Sequence, residues 1–537
     1  MKDNESIDSS LSRRELLRMI GTVAGSAAMY QAMSSLGVAA ESPYQGPINL
    51  QGAPRGTSVI ILGAGVAGMT AAIELRDAGY QVKVLEYLGR AGGRNWTLRG
   101  GDKYTELGGL TQECHFDKDL YINPGPWRIP YHHRGILSYA KRLGVPLEPF
   151  FQVNYNAYLH SSKAFGGKPQ RFREIKADYQ GHVAELLAKA SSQNALDAAV
   201  TQEDKEKLLE SLRHWGALDK NYTYAASDAA SARRGWEKKP GGGLSARPVA
   251  SQPIGLKQIL DSGLWEGVSA GDEYDMQTSL FQPVGGMGRI GEAFGRELAP
   301  LIRYNSKVVD IHQDEHGVTV TYDDTIAPGT LRKESADWCV CTIPLPILAQ
   351  IPMNVGAPLA NAISAVPYAS AIKVGLQFKR RFWEEDEHIY GGITYTDLPI
   401  TNIGYPNTGF FSAGKGVLLG AYIWGLNAME FTSMAPQERI AKALEYGSQI
   451  HPQYPQEFDN GIAVAWHRSP FTMGCMGMWS DSSRAAHYDD LCRIDNRIVL
   501  AGEHASFLGG WQEGGVTSAL DAIGRLHARA VAQGDKA

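Results

Sequence analysis

The chain is poor in cysteine, in net charge and in long apolar runs, and each shortage excludes something. Five cysteines in 537 residues (Cys114, Cys339, Cys341, Cys475, Cys492) are too few and too scattered for a disulfide framework. None of them makes a C-x-x-C pair with metal-ligand spacing. Cys339 and Cys341 alternate around Val340 along an expected strand, so both are expected as buried core thiols. Fifty-two Lys+Arg against 57 Asp+Glu leave a formal charge of −5, without the basic excess of a nucleic-acid binder. No stretch reaches the ~20 apolar residues of a membrane span. There is no internal repeat and no Ser/His/Asp triad. The histidines, the His132-His133 pair included, lack zinc-ligand spacing; they are expected at the surface or in packing, and no metal is expected.

What remains is a folded composition. Hydrophobic residues at 43% and charged residues at 20% exclude a disordered or fibrous chain. The length asks for two or more domains.

The first forty residues read as an address. Ser12-Arg13-Arg14-Glu15-Leu16-Leu17-Arg18 resembles the twin-arginine export signal. A short apolar run follows from about Met19 to Met29, and Val38-Ala39-Ala40 supplies small residues for cleavage before Glu41. A periplasmic or secreted protein is expected.

From Ser58 the text changes. Ser58–Leu62 is a buried-strand run, Gln81–Leu85 a second strand, and Gly63, Gly65 and Gly68 form G-x-G-x-x-G between strand and helix, with Ala67 inside the turn. The first glycine permits the tight turn, the second lets backbone approach a pyrophosphate, and the third lets helix pack on strand. The helix N-terminus then presents free N–H groups to the phosphates. Glu86, about twenty residues on, is placed for ribose hydroxyls, and an acid there argues against a 2′-phosphate. This turn alone does not choose between NAD and FAD.

Further along, an amphipathic helix is expected over Tyr131–Leu147, ending near Gly144. Glu174–Ala217 reads as helix-rich, with Leu186, Leu187, Leu208, Leu209 and Leu212 as its apolar stripe. Arg234–Ser251 reads as a mobile Gly/Pro/Ser-rich loop. Strands are expected at Ser306–Ile311 and Val318–Tyr322 around the His316-Gly317 turn, at Trp338–Thr342, at Lys373–Phe378 and at Ile498–Ala501. A long helix is expected from about Gly514.

Arg90-Ala91-Gly92-Gly93-Arg94, then Glu106-Leu107-Gly108-Gly109, and finally Ala501-Gly502-Glu503-His504 resemble the flavoprotein amine oxidase family, which includes monoamine, polyamine and L-amino-acid oxidases. The resemblance runs from about Ser58 to the C-terminus and is nearest to bacterial L-amino-acid oxidases. It implies an α/β fold: a Rossmann-type FAD-binding domain, a mixed-sheet substrate domain and a helical insertion. The implied division is a signal peptide (1–40), a leader (41–57), FAD-binding parts at 58–125, 281–345 and 466–537, a substrate-access and helical region at 126–280, and a substrate-binding domain at 346–465. FAD is the implied cofactor. Gly63, Gly65, Ala67, Gly68, Glu86, Gly92, Gly93, Arg94, Gly109, Gly125, Pro126, Trp127, Arg128, Val308, Glu503, Trp511, Gly515 and Val516 are its implied contacts.

Gly125-Pro126-Trp127-Arg128-Ile129-Pro130 looks like the L-amino-acid oxidase segment, in which the arginine pairs with the substrate carboxylate. A planar guanidinium suits that contact, because it gives two parallel charge-assisted bonds. By the same resemblance Tyr422 gives the carboxylate a second bond, and Lys373 holds a water against flavin N5. Gly510 offers its carbonyl to the amine, and Trp511 walls the site. Lys373 lies in an apolar strand, where a buried ammonium needs a partner. Arg134 reads equally well as a surface arginine. The implied reaction is oxidation of an L-amino acid by hydride transfer from Cα to flavin N5. It yields a 2-oxo acid and ammonia, and dioxygen returns as hydrogen peroxide. An oxidase of polyamines or alkaloids, or an amino-acid 2-monooxygenase of the same family, is the alternative. The implied partners are small-molecule substrate, dioxygen and a second copy of the chain, with no nucleic acid and no membrane span.

Overall fold

The computed structural model describes residues 42–192 and 201–534. The expected export signal lies outside the described residues. Ser58–Leu62 is the middle strand of a five-stranded sheet. Its neighbours are Gln81–Leu85 on one side and Trp338–Cys341 on the other, with Ile302–Arg303 and Ile498–Leu500 at the two edges. Every pairing is parallel. A parallel sheet must be covered on both faces, which is why these strands read as unbroken apolar runs. Cys339 and Cys341 are fully buried and free, as expected of core thiols.

One face of this sheet packs on the helices Val66–Asp77 and Gln512–Gly534, through Ala67, Ala71, Ala519, Ala522 and Leu526. The alanines let helix and sheet approach closely. The other face packs on an antiparallel three-stranded sheet of Ser306–Gln313, Val318–Asp324 and Leu331–Ala336. The chain thus returns to the first sheet three times, and long excursions leave it between the visits.

Two of these excursions together build a seven-stranded mixed sheet. Phe458–Ala465 is one edge, followed in order by Ala371–Phe378, Gly416–Trp424, Asn402–Gly404, Ile393–Thr396, Tyr158–His160 and, at the other edge, Gln170–Arg171. Ala371–Phe378 is paired on both sides and buried along its whole length. Lys373 is therefore an interior residue and not an edge-strand lysine facing solvent.

The helical excursion contains Phe172–Ser192 and Gln202–Gly216. Its expected apolar stripe is corrected in part. Leu212 is buried, but Leu186 and Leu187 are 53% and 47% exposed. Ala184 and Ala188, one turn apart on the same helix face, take the inward side instead, while Leu208 and Leu209 pack partly buried against the cluster. Arg234–Ser251 is likewise not a plain loop. It continues from a helix (Asp228–Arg234) into a short hairpin of Trp236–Lys238 and Val249–Ala250. The buried ion pair of Arg234 Nε with Asp178 Oδ1 at 2.7 Å fastens one end, and Arg234 also bonds Ser251 at the other. The amphipathic helix runs over Arg134–Arg142. Its first free N–H groups, on Gly135 and Ile136, are capped by the Glu513 carboxylate at 2.8 and 2.7 Å. Among the described residues no helix is long and apolar enough to cross a membrane.

Candidate active site

The glycine turn stands where the first strand meets the first helix. Gly63 has φ +105°, which a residue with a side chain adopts only under strain. A Cβ on Gly68 would lie 2.0 Å from Gly63 O, so this glycine is what lets the helix sit on the strand. Gly65 differs: a Cβ there would meet nothing within 4 Å. It faces a cavity of about 580 Å³ and forms the N-cap of Val66–Asp77 without any side-chain cap. The helix Gln512–Gly534 also starts at this cavity, with Gln512 and Gly515 in its lining. A Cβ on Gly515 would come within 3.7 Å of Ala67 N. Two helix N-termini thus converge over open space, which suits a diphosphate.

The same cavity is lined by Glu86, Gly92, Gly93, Arg94, Gly125, Pro126, Val308, Tyr422, Glu503, Gly510 and Trp511. Glu86 is buried and accepts from Ala64 N at 2.6 Å and Leu88 N at 2.8 Å. Burial raises its pKa against those two bonds and the nearby Arg90. At Val308 the strand register slips against Val318–Asp324, a bulge at the cavity wall. Arg94 Nη1 donates to Glu503 Oε1 at 2.8 Å and to Cys475 O at 2.7 Å. Burial alone would lower the Arg94 pKa, but the Glu503 carboxylate outweighs it and raises it. Glu503 Oε2 accepts from Gly510 N at 3.2 Å, so the last glycine loop is tied to the same ion pair.

Behind Gly125 and Pro126 stands a cluster of rings and cations. Arg128 is 4% exposed, and its Cζ lies 5.7 Å from the Trp127 ring and 5.8 Å from the Trp511 ring. Trp127 meets Tyr422 edge-on at 5.9 Å. Lys373 Nζ sits 4.3 Å from the Tyr422 ring and donates to Gly125 O at 2.5 Å and Asn123 O at 3.2 Å. Burial lowers the Lys373 pKa to about 7, with Arg128 adding to the fall and Cys475 opposing it.

Arg128, Trp127, Tyr422, Lys373, Gly510 and Trp511 therefore come together. Five expected cofactor contacts do not line the cavity: Trp127 and Arg128 stand in the cluster behind it, and three more lie elsewhere. Gly68 is spent on helix packing, Val516 is fully buried in the core, and Gly109 lies exposed on the surface. Arg134 is exposed, as a surface arginine. Of the two places expected for the His132-His133 pair, surface and packing, the pair takes packing: both rings are buried, and Asp275 stands between them. Sequence reading also missed Trp424, Trp466, Cys475, Met476 and Met276. Trp424 had a signal, because it lies two residues after Tyr422 on one strand and shares its face. Trp466, whose Nε1 holds Pro124 O at 2.7 Å, had none.

The family model described as flavin containing amine oxidoreductase matches residues 66–526. The chain belongs to this family. A curated relative, an L-amino-acid oxidase of Bothrops pauloensis, is 30% identical over 478 residues, covering 86% of this chain and 88% of its own. Among solved structures, a triple mutant of putrescine oxidase superposes with TM-score 0.58 at 18% identity, covering 88% of this chain and 99% of that one. Cyclohexylamine oxidase from Brevibacterium oxydans IH-35A gives 0.57. This flavin-containing amine oxidase binds FAD, and its chemistry is the oxidation of an amine-bearing substrate.

Proposed function

We propose that this amine oxidase acts on L-amino acids, giving 2-oxo acids, ammonia and hydrogen peroxide. The observation that carries this reading is the buried Arg128 guanidinium in one cluster with Tyr422, Lys373 and Trp511. A buried guanidinium favours an anionic substrate over a cationic one. Arg128 takes the carboxylate with its fork, and the Tyr422 hydroxyl adds a second bond. Gly510 offers its carbonyl to the amine, and Trp511 walls the site. Holding the substrate at both ends fixes its Cα–H direction and lowers the entropic part of the barrier. FAD, when bound, supplies the two-electron sink. Lys373 Nζ, with a pKa of about 7, can hold or release a proton near neutrality beside the substrate.

A second reading, oxidation of an amine without a carboxylate, has its own support. Arg128 turns its fork toward the Met276 thioether, and Trp424, Trp466 and Trp511 give the cavity aromatic walls. Steady-state kinetics of Arg128→Ala on the best L-amino acid and on its decarboxylated amine separate the two. Losing one partner of a desolvated charge pair costs ~2–5 kcal/mol, roughly 30- to several thousand-fold in efficiency. That loss is expected on the amino acid, with the amine little changed. An amino-acid efficiency unchanged within about twofold would leave the plain amine oxidase standing.

We also propose export by the twin-arginine route, on the strength of Ser12–Arg18 and the apolar run behind it.

A further inference from the structure

We infer that His132, His133 and Asp275 form a binding site for a divalent transition metal of the zinc class, beside the flavin cavity and separate from it. The ligands come from two segments distant in sequence. His132 and His133 follow the short strand Ile129–Pro130 and lead into the helix Arg134–Arg142. Asp275 is the middle residue of the single turn Tyr274–Met276.

All three side chains are 1% exposed, and their ligand atoms lie within 4.8 Å of one another. Asp275 Oδ1 stands 3.1 Å from His132 Nε2 and 3.6 Å from His133 Nε2. Yet Asp275 Oδ1 and His133 Nε2 are buried without a hydrogen bond. The atoms converge on one point and are not aligned along N–H···O lines. Zinc holds imidazole nitrogen and carboxylate oxygen at ~2.0–2.2 Å in a tetrahedron, so two such ligands stand about 3.4 Å apart. The two observed edges bracket that spacing. The imidazole planes of His132 and His133 cross at 86°, which brings the two rings to one centre from different directions.

The charge argument agrees. A buried carboxylate is costly without a counter-charge, and a divalent ion supplies one. Two nitrogens and one oxygen suit zinc and its neighbours over calcium or magnesium. Three protein ligands leave a fourth position for water.

Occupancy would fix two parts of the active site at once. Tyr274 stacks on His132 at 4.3 Å, while Met276, one residue past Asp275, faces Arg128. His133 meets Trp511 edge-on at 5.0 Å. A metal here pins the Tyr274–Met276 turn to the Ile129–His133 segment, and with it the cover over Arg128 and the back of Trp511.

The test uses tag-free, FAD-loaded full chain, stripped with a chelator, incubated with Zn²⁺ and desalted. Elemental analysis should find about one zinc per chain, and Zn²⁺ should raise the thermal midpoint. Asp275→Asn should weaken zinc binding by more than the ~10–100-fold that loss of an outer-shell partner costs, and should abolish the thermal shift. Co²⁺ loading should give tetrahedral d–d bands to the red of the flavin absorption, absent in Asp275→Asn. If Asp275→Asn fails to keep FAD, the paired His132→Gln, His133→Gln protein is read in the same way. A wild type that binds no zinc beyond its variant, or variants that keep a full equivalent, would show a metal-free His–Asp ion pair and overturn the inference.

Discussion

Arg128 turns Nε and Nη2 toward the Sδ of Met276, at 3.2 and 2.8 Å, across 148 positions of sequence. A thioether is a weak acceptor for a guanidinium fork, and a carboxylate is a strong one. Met276 thus stands where the proposed substrate carboxylate would bind, and the substrate must move it.

Met276→Leu keeps the volume and removes the acceptor, so it should cost less than ~1.5 kcal/mol of stability. Releasing a bond worth ~0.5–1.5 kcal/mol should lower KM for the amino acid roughly two- to tenfold, with kcat little changed. The decarboxylated amine should show no such gain. Paired KM measurements on the two substrates check this.

Arg128→Lys should recover only part of what Arg128→Ala loses. An ammonium supplies the charge but not the two parallel bonds. Amino-acid efficiency should fall between wild type and Arg128→Ala, and flavin content should match wild type. Equal efficiency for Lys and Arg would mean that charge alone is read there.

Gly65 and Gly68 should fail in different ways. A side chain at Gly65 meets no protein atom within 4 Å but fills the space proposed for the diphosphate. Gly65→Leu should fold, purify colourless and regain little flavin when FAD is added. At Gly68 even one Cβ would lie 2.0 Å from Gly63 O, so Gly68→Ala should lose stability first and flavin with it. Absorbance of bound flavin and thermal unfolding, measured together, separate the two.

Lys373 should leave a pH signature in stability. Burial brings its pKa to about 7 from an ordinary 10.5. Between those values the unfolded chain binds more protons than the folded one, so the lysine's destabilising contribution shrinks as pH rises. Lys373→Met removes the titration, at the cost of leaving the Asn123 and Gly125 carbonyls without their donor. Relative to that variant, wild type should gain stability from about pH 7 to pH 10. Denaturant unfolding at a series of pH values reads the slope; parallel curves would mean that the ammonium is not desolvated.

Replacing Arg13-Arg14 by Lys-Lys should keep the protein in the cytoplasm if it leaves by the twin-arginine route. Cell fractionation with activity staining checks this. Undiminished export of the double substitution would remove that proposal.

Local order in the sequence was enough for the dinucleotide turn. Gly63, Gly65, Gly68 and Glu86 lie within one strand–turn–helix–strand unit, and each residue type answers a constraint set by its near neighbours. The paired strands at Ser306–Gln313 and Val318–Asp324 and the C-terminal helix were legible for the same reason, through their periodicity. Arg128, Lys373 and Tyr422 could be named because their surroundings resemble family segments, although nothing in their spacing says that they meet. The tertiary structure alone decided what stands against them. Met276 reaches Arg128, Asp275 enters between His132 and His133, and Glu513 caps a helix 378 positions away. Such contacts pair residues from separate excursions of the chain, and burial fixes the pairing only after the sheets have closed. A lone methionine, aspartate or glutamate in a loop or helix start carries no periodicity of its own, so its partner cannot be read until packing excludes water and forces each buried polar atom to find one.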